Sequence, residues 1–485
     1  MPKHPSAAIW LNCLPLLVRS CREVVSQLRI RSLWMTLAGF LAIPTYCISA
    51  ETLHDALSEA YAGNPTLKAQ TAHLNQVGEK VRQAESHWGP LIGVTADTGP
   101  HHWRQISGSN DGFVETNSPQ SATLPQHDVD ITLTQPLYRG GRTLAETRAS
   151  KASLEAERAR SDAAEQSILT SLAISYDGVL ADRALLELTI QNESNLRAEL
   201  AAAQERLVRG ELTRTDAAQA QTHLAGGIAD RQEAEANLLA ASAEYEELVG
   251  HPPGDLTPFS HEPSADSNAP ATLADAERTA LEENPDLRAS VFDQLAAQQD
   301  IALVKGIRLP SVDLILEATR NENATIRTPL LNNPARLDSL SALLRVTVPI
   351  FDSGSSSSQV RAAQDAYSQA QFTVEATKRS VLSKLRAAWA TLYAARRRIQ
   401  ALQVQCDAGQ LALQGSRIEQ RAGTRTLLDV LNAEQDLLTA RMSLIKSTHD
   451  ATLAAIQLQS SIGRFTARIL GINATQGARS STQLP

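Results

Sequence analysis

The chain has 485 residues, a formal net charge of −8 and only 4% aromatic side chains. The negative charge and the lack of a basic stripe argue against a nucleic-acid partner. Few aromatic residues, together with abundant Ala, Leu, Gln, Glu and Arg, favour long helices packed side by side over one thick hydrophobic core.

The N-terminus has the features of a targeting segment. Arg29 and Arg31 precede an apolar run that starts at Leu33, and the small pair Ser49-Ala50 follows. This order is typical of a signal peptide, so residues 1–50 are predicted to be cleaved during export. Cys47 leaves a lipoprotein site open, although the bulky residue before it fits that site poorly. No later segment is apolar over the roughly 18 residues that a membrane-spanning helix needs.

The remaining chain contains an internal duplication. The segment Thr52–Ala56 recurs as Thr272–Ala276, and an Asn-Pro pair follows each of them. Later, Pro136–Gly141 matches Pro349–Gly354, and at that same offset two further pairs match, Gly210 with Gly423 and Asp216 with Asp429. A register kept over this distance predicts two structural repeats, 51–250 and 271–470. A Pro- and Ser-rich linker at 251–270 joins them, and 471–485 is a C-terminal tail.

Each repeat is predicted to begin with a helix that is broken near its start. Thr52 and Thr272 are good N-cap residues, and each is followed by an acidic residue in the first turn. The helices should run to about His87 and Arg308. The Asn-Pro pairs should interrupt them, because proline lacks a backbone N–H and biases the preceding residue away from helix.

Two strands are predicted to follow in each repeat. Apolar residues alternate with polar ones at 90–97 and 128–137, and again at 311–318 and 340–350. The polar segments 98–127 and 320–339 are interpreted as loops. His101-His102 lies in the first loop and has no third ligand at a suitable spacing, so no metal site is predicted.

Long proline-free segments come next, from Arg142 to Arg209 and from Ser357 to Ala422. At 1.5 Å per residue, each would form a helix of about 100 Å. Apolar residues spaced alternately by four and three from Val381 to Cys406 indicate a coiled-coil seam, on which Cys406 should be buried. Glycines at 210 and 423 should turn each helix back on itself as an antiparallel hairpin.

These elements are incomplete in a single chain. Four strands of about ten residues are long enough to cross a membrane, but they cannot close a barrel. An open sheet edge in lipid would leave backbone groups without partners. Three copies would supply twelve strands and a twelve-helix tube.

The motifs together resemble the TolC family of outer-membrane channels. The Asn-Pro helix entries, the strand-to-helix junctions Pro136–Gly141 and Pro349–Gly354, and the segment Gly423–Asn432 carry the resemblance, which covers nearly all of residues 52–470. It implies a mainly α fold with a small transmembrane β part: a homotrimer with a 12-stranded β-barrel joined to a 12-helix periplasmic coiled-coil tunnel. It also implies an export duct in the outer membrane that docks to a periplasmic adaptor and an inner-membrane ABC, RND or MFS transporter. Such a duct would carry proteins or small toxic compounds.

The resemblance also implies an entrance latch. In the family, an arginine of the Gly-Thr-Arg-Thr segment bonds to a Thr-Asp pair on the other hairpin, and the matching residues here are Arg425, Thr215 and Asp216. A guanidinium–carboxylate pair is directional, and its loss would let the hairpins separate. The alternative is a solvated charge at a turn, which contributes little stability. The family's accompanying tyrosine is Gln420 here, so the closed state would have fewer constraints.

A lumen constriction is implied next to the latch. Asp429 matches the family's lumen-facing aspartate, and three copies would form a carboxylate ring that favours cations. The second acid that the family often has is Asn432 here, which halves the charge of the constriction. The alternative is that Asp429, like Asp216, only complements a helix dipole.

The turns themselves match the family's adaptor-docking tips. The matching residues are Gly210, Glu211, Leu212, Gly423 and Thr424. Plain turn chemistry explains the same residues, and the two interpretations are compatible.

No catalytic motif is present in the sequence. It lacks a Gly-rich phosphate loop, a nucleophile elbow and a His-Glu-x-x-His motif, so we predict neither an enzyme nor a cofactor site. The competing interpretation is a periplasmic coiled-coil adaptor or scaffold of an export complex. An adaptor normally has one hairpin flanked by lipoyl-like β segments, whereas this chain has two hairpins, each preceded by strands.

Overall fold

The computed structural model describes residues 51–110, 115–258, 270–323 and 336–472. The predicted signal peptide, the middle of the linker and the end of the tail lie outside the described residues. One order of elements occurs twice: a broken helix, two strands and two long helices. The first set is α1 Leu53–Gly63, α2 Pro65–Ser86, β1 Leu91–Asn110, β2 Glu115–Arg139, α3 Arg142–Val208 and α4 Arg214–Val249. The second set is α5 Leu273–Glu283, α6 Pro285–Gly306, β3 Ser311–Asn323, β4 Arg336–Thr347, α7 Ser355–Arg421 and α8 Leu427–Ile462.

The broken helices are confirmed, and one asparagine explains each break. Asn64 ends α1, and its side chain accepts from Thr66 N at 2.9 Å to cap α2, which starts with proline. Asn64 Nδ2 also donates to Leu248 O, at 3.2 Å, near the end of α4. Asn284 repeats this arrangement and donates to Ser461 O, at 3.0 Å, near the end of α8. Each asparagine therefore ties its helix break to the long hairpin of its own repeat.

The four strands form one antiparallel sheet in the order β1-β2-β3-β4, so β1 and β4 are its edges. The strands are longer than predicted. The predicted loop at 98–127 is largely wrong, because β1 runs to Asn110 and β2 starts at Glu115. His101 and His102 consequently lie in β1. The polar residues extend the strands because the neighbouring strand satisfies their backbone groups. In the second repeat, β3 extends to Asn323, and β4 runs from Arg336 and stops at Thr347, before the predicted 350.

The register places the predicted apolar residues on one face of the sheet. Ile92 pairs with Leu133, which pairs with Leu316, and Leu316 pairs with Ala342. Several apolar side chains of the sheet are exposed in the single chain, including Val94 at 64% and others at the edges. None of the helices in the described residues combines the length and the apolar content of a membrane span.

The long helices form the two predicted hairpins. The 67-residue helices α3 and α7 turn back into the 36-residue helices α4 and α8. Most of the predicted seam of α7, from Val381 to Leu402, is buried. Cys406 is only partly buried in the single chain, which corrects the prediction that it is a core residue. The charged side chains of Arg441 and Asp407 act electrostatically on its thiol, so its surroundings are not purely apolar.

The largest core joins both ends of the described chain. Tyr176 of α3 and Tyr245 of α4 are fully buried in it, together with Phe465 and Ile472 from the segment after α8. The backbone N–H of Ala467 donates to the carboxylate of Glu165 on α3, at 2.9 Å. The chain that leaves the second repeat is thereby packed on the first repeat.

Candidate functional site at the hairpin tips

Each hairpin tip is a tight turn closed by backbone hydrogen bonds. Gly210 and Gly423 have φ angles of 73° and 77°, a left-handed conformation that glycine adopts without strain. After each glycine, the next N–H bonds back five residues: Glu211 to Arg206 O at 2.8 Å, and Thr424 to Glu419 O at 3.0 Å. These are Schellman closures. The turn chemistry at the predicted docking tips is therefore confirmed, while adaptor docking remains a prediction.

The acids of both tips belong to capping boxes. Thr213 N donates to Asp216 Oδ2 at 2.9 Å, and Asp216 N donates to Thr213 Oγ1 at 3.2 Å. Thr426 and Asp429 form the same pair of bonds, with the same two distances. In a sequence, a capping box is indicated by a threonine three residues before an acid at the start of an apolar run. Thr213 and Thr426 fit this pattern but were not among the predicted site residues.

These hydrogen bonds keep both acids ionised. Bonds from the backbone and side chain of Thr213 hold the pKa of Asp216 below its ordinary value. Bonds from the side chain and backbone of Thr426 do the same for the pKa of Asp429, and Arg425 contributes electrostatically. Helix capping thus explains the geometry of both carboxylates, as the alternative interpretation of Asp429 stated. It also leaves each of them with a full negative charge.

The three predicted latch residues are not brought together in a single chain. Arg425 Nε lies 2.6 Å from Glu419 Oε2, and the guanidinium donates to the buried Ser416 Oγ at 3.2 Å. Thr215 is exposed in the first turn of α4, beside Asp216. Arg425 therefore has its partners within its own hairpin, and the latch to Asp216 remains a prediction. Asn432 is exposed one turn beyond Asp429, and the constriction also remains a prediction.

An apolar cluster joins the two tips of one chain. Leu427 and Leu431, from the first turns of α8, pack against Leu196 and Ala203 of α3 and Ala220 of α4. The two tips consequently have a shared core, and α8 is the helix that connects them.

An ionic network around one buried acid lies above this cluster, and it was not predicted from the sequence. Glu434 of α8 is 7% exposed and pairs with Arg417 of α7. Arg417 is also 4.0 Å from Glu199 of α3, in the other hairpin. Burial raises the pKa of Glu434, and the hydrogen bond from Arg417 opposes that shift. The available signal was that Glu434 falls between the apolar pairs Val430-Leu431 and Leu437-Leu438, at helical spacing on the buried face of α8.

The chain is similar to known outer-membrane channel proteins. The family model described as outer membrane efflux protein matches residues 56–251 and 278–464. The outer membrane efflux protein BepC of Brucella suis is 30% identical over 458 residues, which is 94% of each chain. The outer membrane protein TolC of Vibrio cholerae is 24% identical over 430 residues, 88% of this chain and 94% of its own. The structure of the outer membrane protein VceC from Vibrio cholerae superposes with a TM-score of 0.69 at 20% identity, covering 85% of this chain and 96% of VceC.

The ionic network yields a stability prediction. Arg417→Ala would leave the buried carboxylate of Glu434 without its ion-pair partner, and we expect the free energy of unfolding to fall by about 2 kcal/mol. Denaturant unfolding of the detergent-solubilised protein, followed by circular dichroism, measures this. Glu419→Ala removes the exposed partner of Arg425 and should change the free energy by less than about 1 kcal/mol. Equal losses in the two variants would contradict a structural role for the network.

Proposed function

We propose that three copies of this chain assemble into one continuous conduit, because the chain belongs to the outer membrane efflux protein family that includes TolC. As a member of that family, the chain is an export duct of the outer membrane with a long periplasmic extension. In the proposed assembly the strands form a 12-stranded barrel, and the hairpins form a 12-helix tunnel below it. The protein acts as a conduit and not as a catalyst.

The sheet edges are the observation that carries this proposal. The outer edges of β1 and β4 have no partner strand in the described chain, while one face of the sheet is apolar. In lipid, unpaired backbone N–H and C=O groups cost several kcal/mol each. Pairing β1 of one copy with β4 of the next satisfies both edges, and three copies close the ring.

The helices below the sheet support the same closure. In one chain α3 packs between α2 and α6, and α6 packs between α3 and α7. The outer flanks of α2 and α7 are left open, and α7 exposes Phe372 at 76%. The unpaired flanks therefore lie at the two ends of the helix row, as the unpaired edges lie at the two ends of the sheet.

The tips are the proposed docking points for a periplasmic adaptor, which would connect the duct to an inner-membrane transporter of the ABC, RND or MFS type. Gly210, Glu211 and Leu212 form one tip, and Gly423 and Thr424 form the other. Both turns are exposed and compact, so they can insert between the helices of a partner without unfolding. The cargo, proteins or small toxic compounds, would be selected by that transporter.

Trimer formation tests the conduit directly. We expect a detergent-resistant species of three chains when the outer-membrane fraction is run on a gel without heating, and a single chain after heating. Mass photometry of the purified protein in detergent supplies an independent mass. A soluble periplasmic monomer in both measurements would reject the duct in favour of the adaptor-like scaffold.

The latch is proposed to act between neighbouring hairpins. Arg425 is 48% exposed, and its bond to Glu419 joins two exposed side chains, so exchange for Asp216 of another hairpin costs little. An Arg–Asp pair is directional and would fix one hairpin against the next. The entrance would then open when such pairs break together.

Removal of either latch residue should loosen the entrance. We expect Arg425→Ala and Asp216→Ala to raise single-channel conductance in planar bilayers severalfold, because the hairpins are then free to separate. Glu419→Ala is the matched control, since it removes the bond seen within the hairpin and should leave conductance unchanged. The latch is wrong if Glu419→Ala raises conductance while Asp216→Ala does not.

The proposed carboxylate ring at Asp429 predicts ion preference. Asp429→Asn should reduce cation selectivity and weaken block by multivalent cations, measured as reversal potentials and block curves in bilayers. Within one chain the hydrogen bonds from Thr426 lower the pKa of Asp429, so they favour the ionised form that block requires. Asn432→Asp adds a second ring and should strengthen block. Unaltered selectivity in both variants would exclude a ring at this level.

A further inference from the structure

The two hairpins of one chain meet along a seam between α3 and α8. Gln166 Nε2 donates to Ser460 O, at 2.6 Å, at its upper end. Further down, His449 Nδ1 lies 2.6 Å from Asp177 Oδ2. Lys446 also acts electrostatically on Asp182, so α3 contributes acids to this seam and α8 contributes cations.

The duplication defines a second seam of the same geometry. The offset that relates Gly210 to Gly423 also relates α3 to α7 and α4 to α8. The counterpart of the α3–α8 seam is therefore a contact between an α7 and an α4. Within one chain α7 packs on α5, α6 and α8, while α4 packs mainly on α3. The matching α4 has to come from another copy.

Applying the offset to both members of each pair gives the residues that face each other. The Gln166–Ser460 pair becomes Arg379 opposite Glu247. The Asp177–His449 pair becomes Ala390 opposite Ala236, two exposed small residues.

Three residues nearer the tips on each helix, the same register sets Tyr393 opposite Glu233. The Tyr393 ring is 56% exposed and carries the Arg397 guanidinium 4.7 Å from its centre. An arginine of α7 therefore lies close to a glutamate of α4 at this level too, as Arg379 does to Glu247.

We propose that α7 of one protomer packs against α4 of the next, with Arg379 bonded to Glu247 and Arg397 bonded to Glu233 of that next protomer. Ala390 and Ala236 make the close contact between these two ion pairs. This surface rests on the proposed trimer and specifies which faces of neighbouring chains meet in it.

The charges of the two helices are complementary along their length. Between residues 376 and 406, α7 has seven Lys or Arg residues and no Asp or Glu. From Glu233 to Val249, α4 has five glutamates and no Lys or Arg. These glutamates are exposed, and one of them, Glu235, is already paired with Arg231 one turn earlier on α4, at 3.0 Å. A second copy of this chain supplies basic partners for the others from its α7.

The arginines are available for this exchange. Arg379 pairs with Glu375 at 3.1 Å, one turn earlier on the same helix, and both side chains are more than half exposed. Such a pair contributes little, so it can be replaced by a bond across the interface. Arg386, between them, is already held by Glu277 of α5 at 2.7 Å and is left out of the proposed pairs.

The two seams have opposite polarity, which makes assembly selective. Within the chain, α3 contributes the acids of the seam and α8 contributes the cations. Between chains, α7 contributes the cations and α4 contributes the acids. Packing α3 against α4 of another copy, or α7 against α8 of another copy, would bring like charges together. The hairpins therefore alternate around the ring, and copies join only in the order that closes it.

A disulfide across the central contact tests the register. We introduce Ala390→Cys and Ala236→Cys into the full-length chain with Cys406→Ser and apply a mild oxidant to isolated membranes. A covalent trimer on a denaturing, non-reducing gel is expected. Ala390→Cys with Ala229→Cys, two turns out of register on the same face of α4, should remain mostly monomeric, as should each single cysteine.

Charge reversal tests the ion pairs. Glu233→Arg and Arg397→Glu should each lower the temperature at which the trimer dissociates, and the double variant should recover most of the loss. Glu246→Arg, exposed on α4 but off this column, should have little effect.

The outcomes separate this proposal from the proposed function. A wild-type trimer without the in-register disulfide and without recovery in the double variant overturns the seam but keeps the conduit. Absence of a wild-type trimer rejects both. Equal cross-linking by the two cysteine pairs would also overturn the register.

Discussion

Backbone groups that enter lipid have to be hydrogen-bonded within the protein, and this requirement dominates the architecture. The described sheet satisfies it between its four strands but not at the outer edges of β1 and β4. The same two ends of the molecule carry the open flanks of α2 and α7 in the helical part. In one chain the strands and the helices are therefore left open at the same two ends, which is where the proposed assembly adds another copy.

Local chemistry builds the two repeats of the chain in the same way. Asn64 and Asn284 each end one helix, cap the next and bond to the end of the long hairpin. The capping boxes at the tips repeat with the same distances. Because these bonds depend on a few neighbouring residues, duplication of the sequence reproduces them. The two repeats of one chain are therefore closely similar in their helical scaffold.

The two repeats differ in the side chains at the seams between hairpins. Asp177 and His449 pair across the seam within the chain, while both equivalent positions on α7 and α4 are alanine. The charges around them are reversed in sign. Above the tips, Glu434 and Arg417 form an ion pair, whereas the equivalent positions of the first repeat are Gln221 and Gln204, which carry no charge. The side chains at the seams therefore differ between the repeats, while the helices keep the same lengths.

The hairpins, the helix breaks and the apolar face of the sheet were predictable from the sequence alone, because turns, caps and hydrophobic periods depend on residues close together in the chain. The sequence did not determine how far the strands extend. Pro100 faces Pro125 in a segment whose sequence predicts a loop. This segment is a strand only because it pairs with the neighbouring strand. At the tips, the residue types of the acids were evident, but the partner of Arg425 was not, since Glu419 and Asp216 offer the same carboxylate. Such choices depend on distances between remote elements, which tertiary packing alone decides.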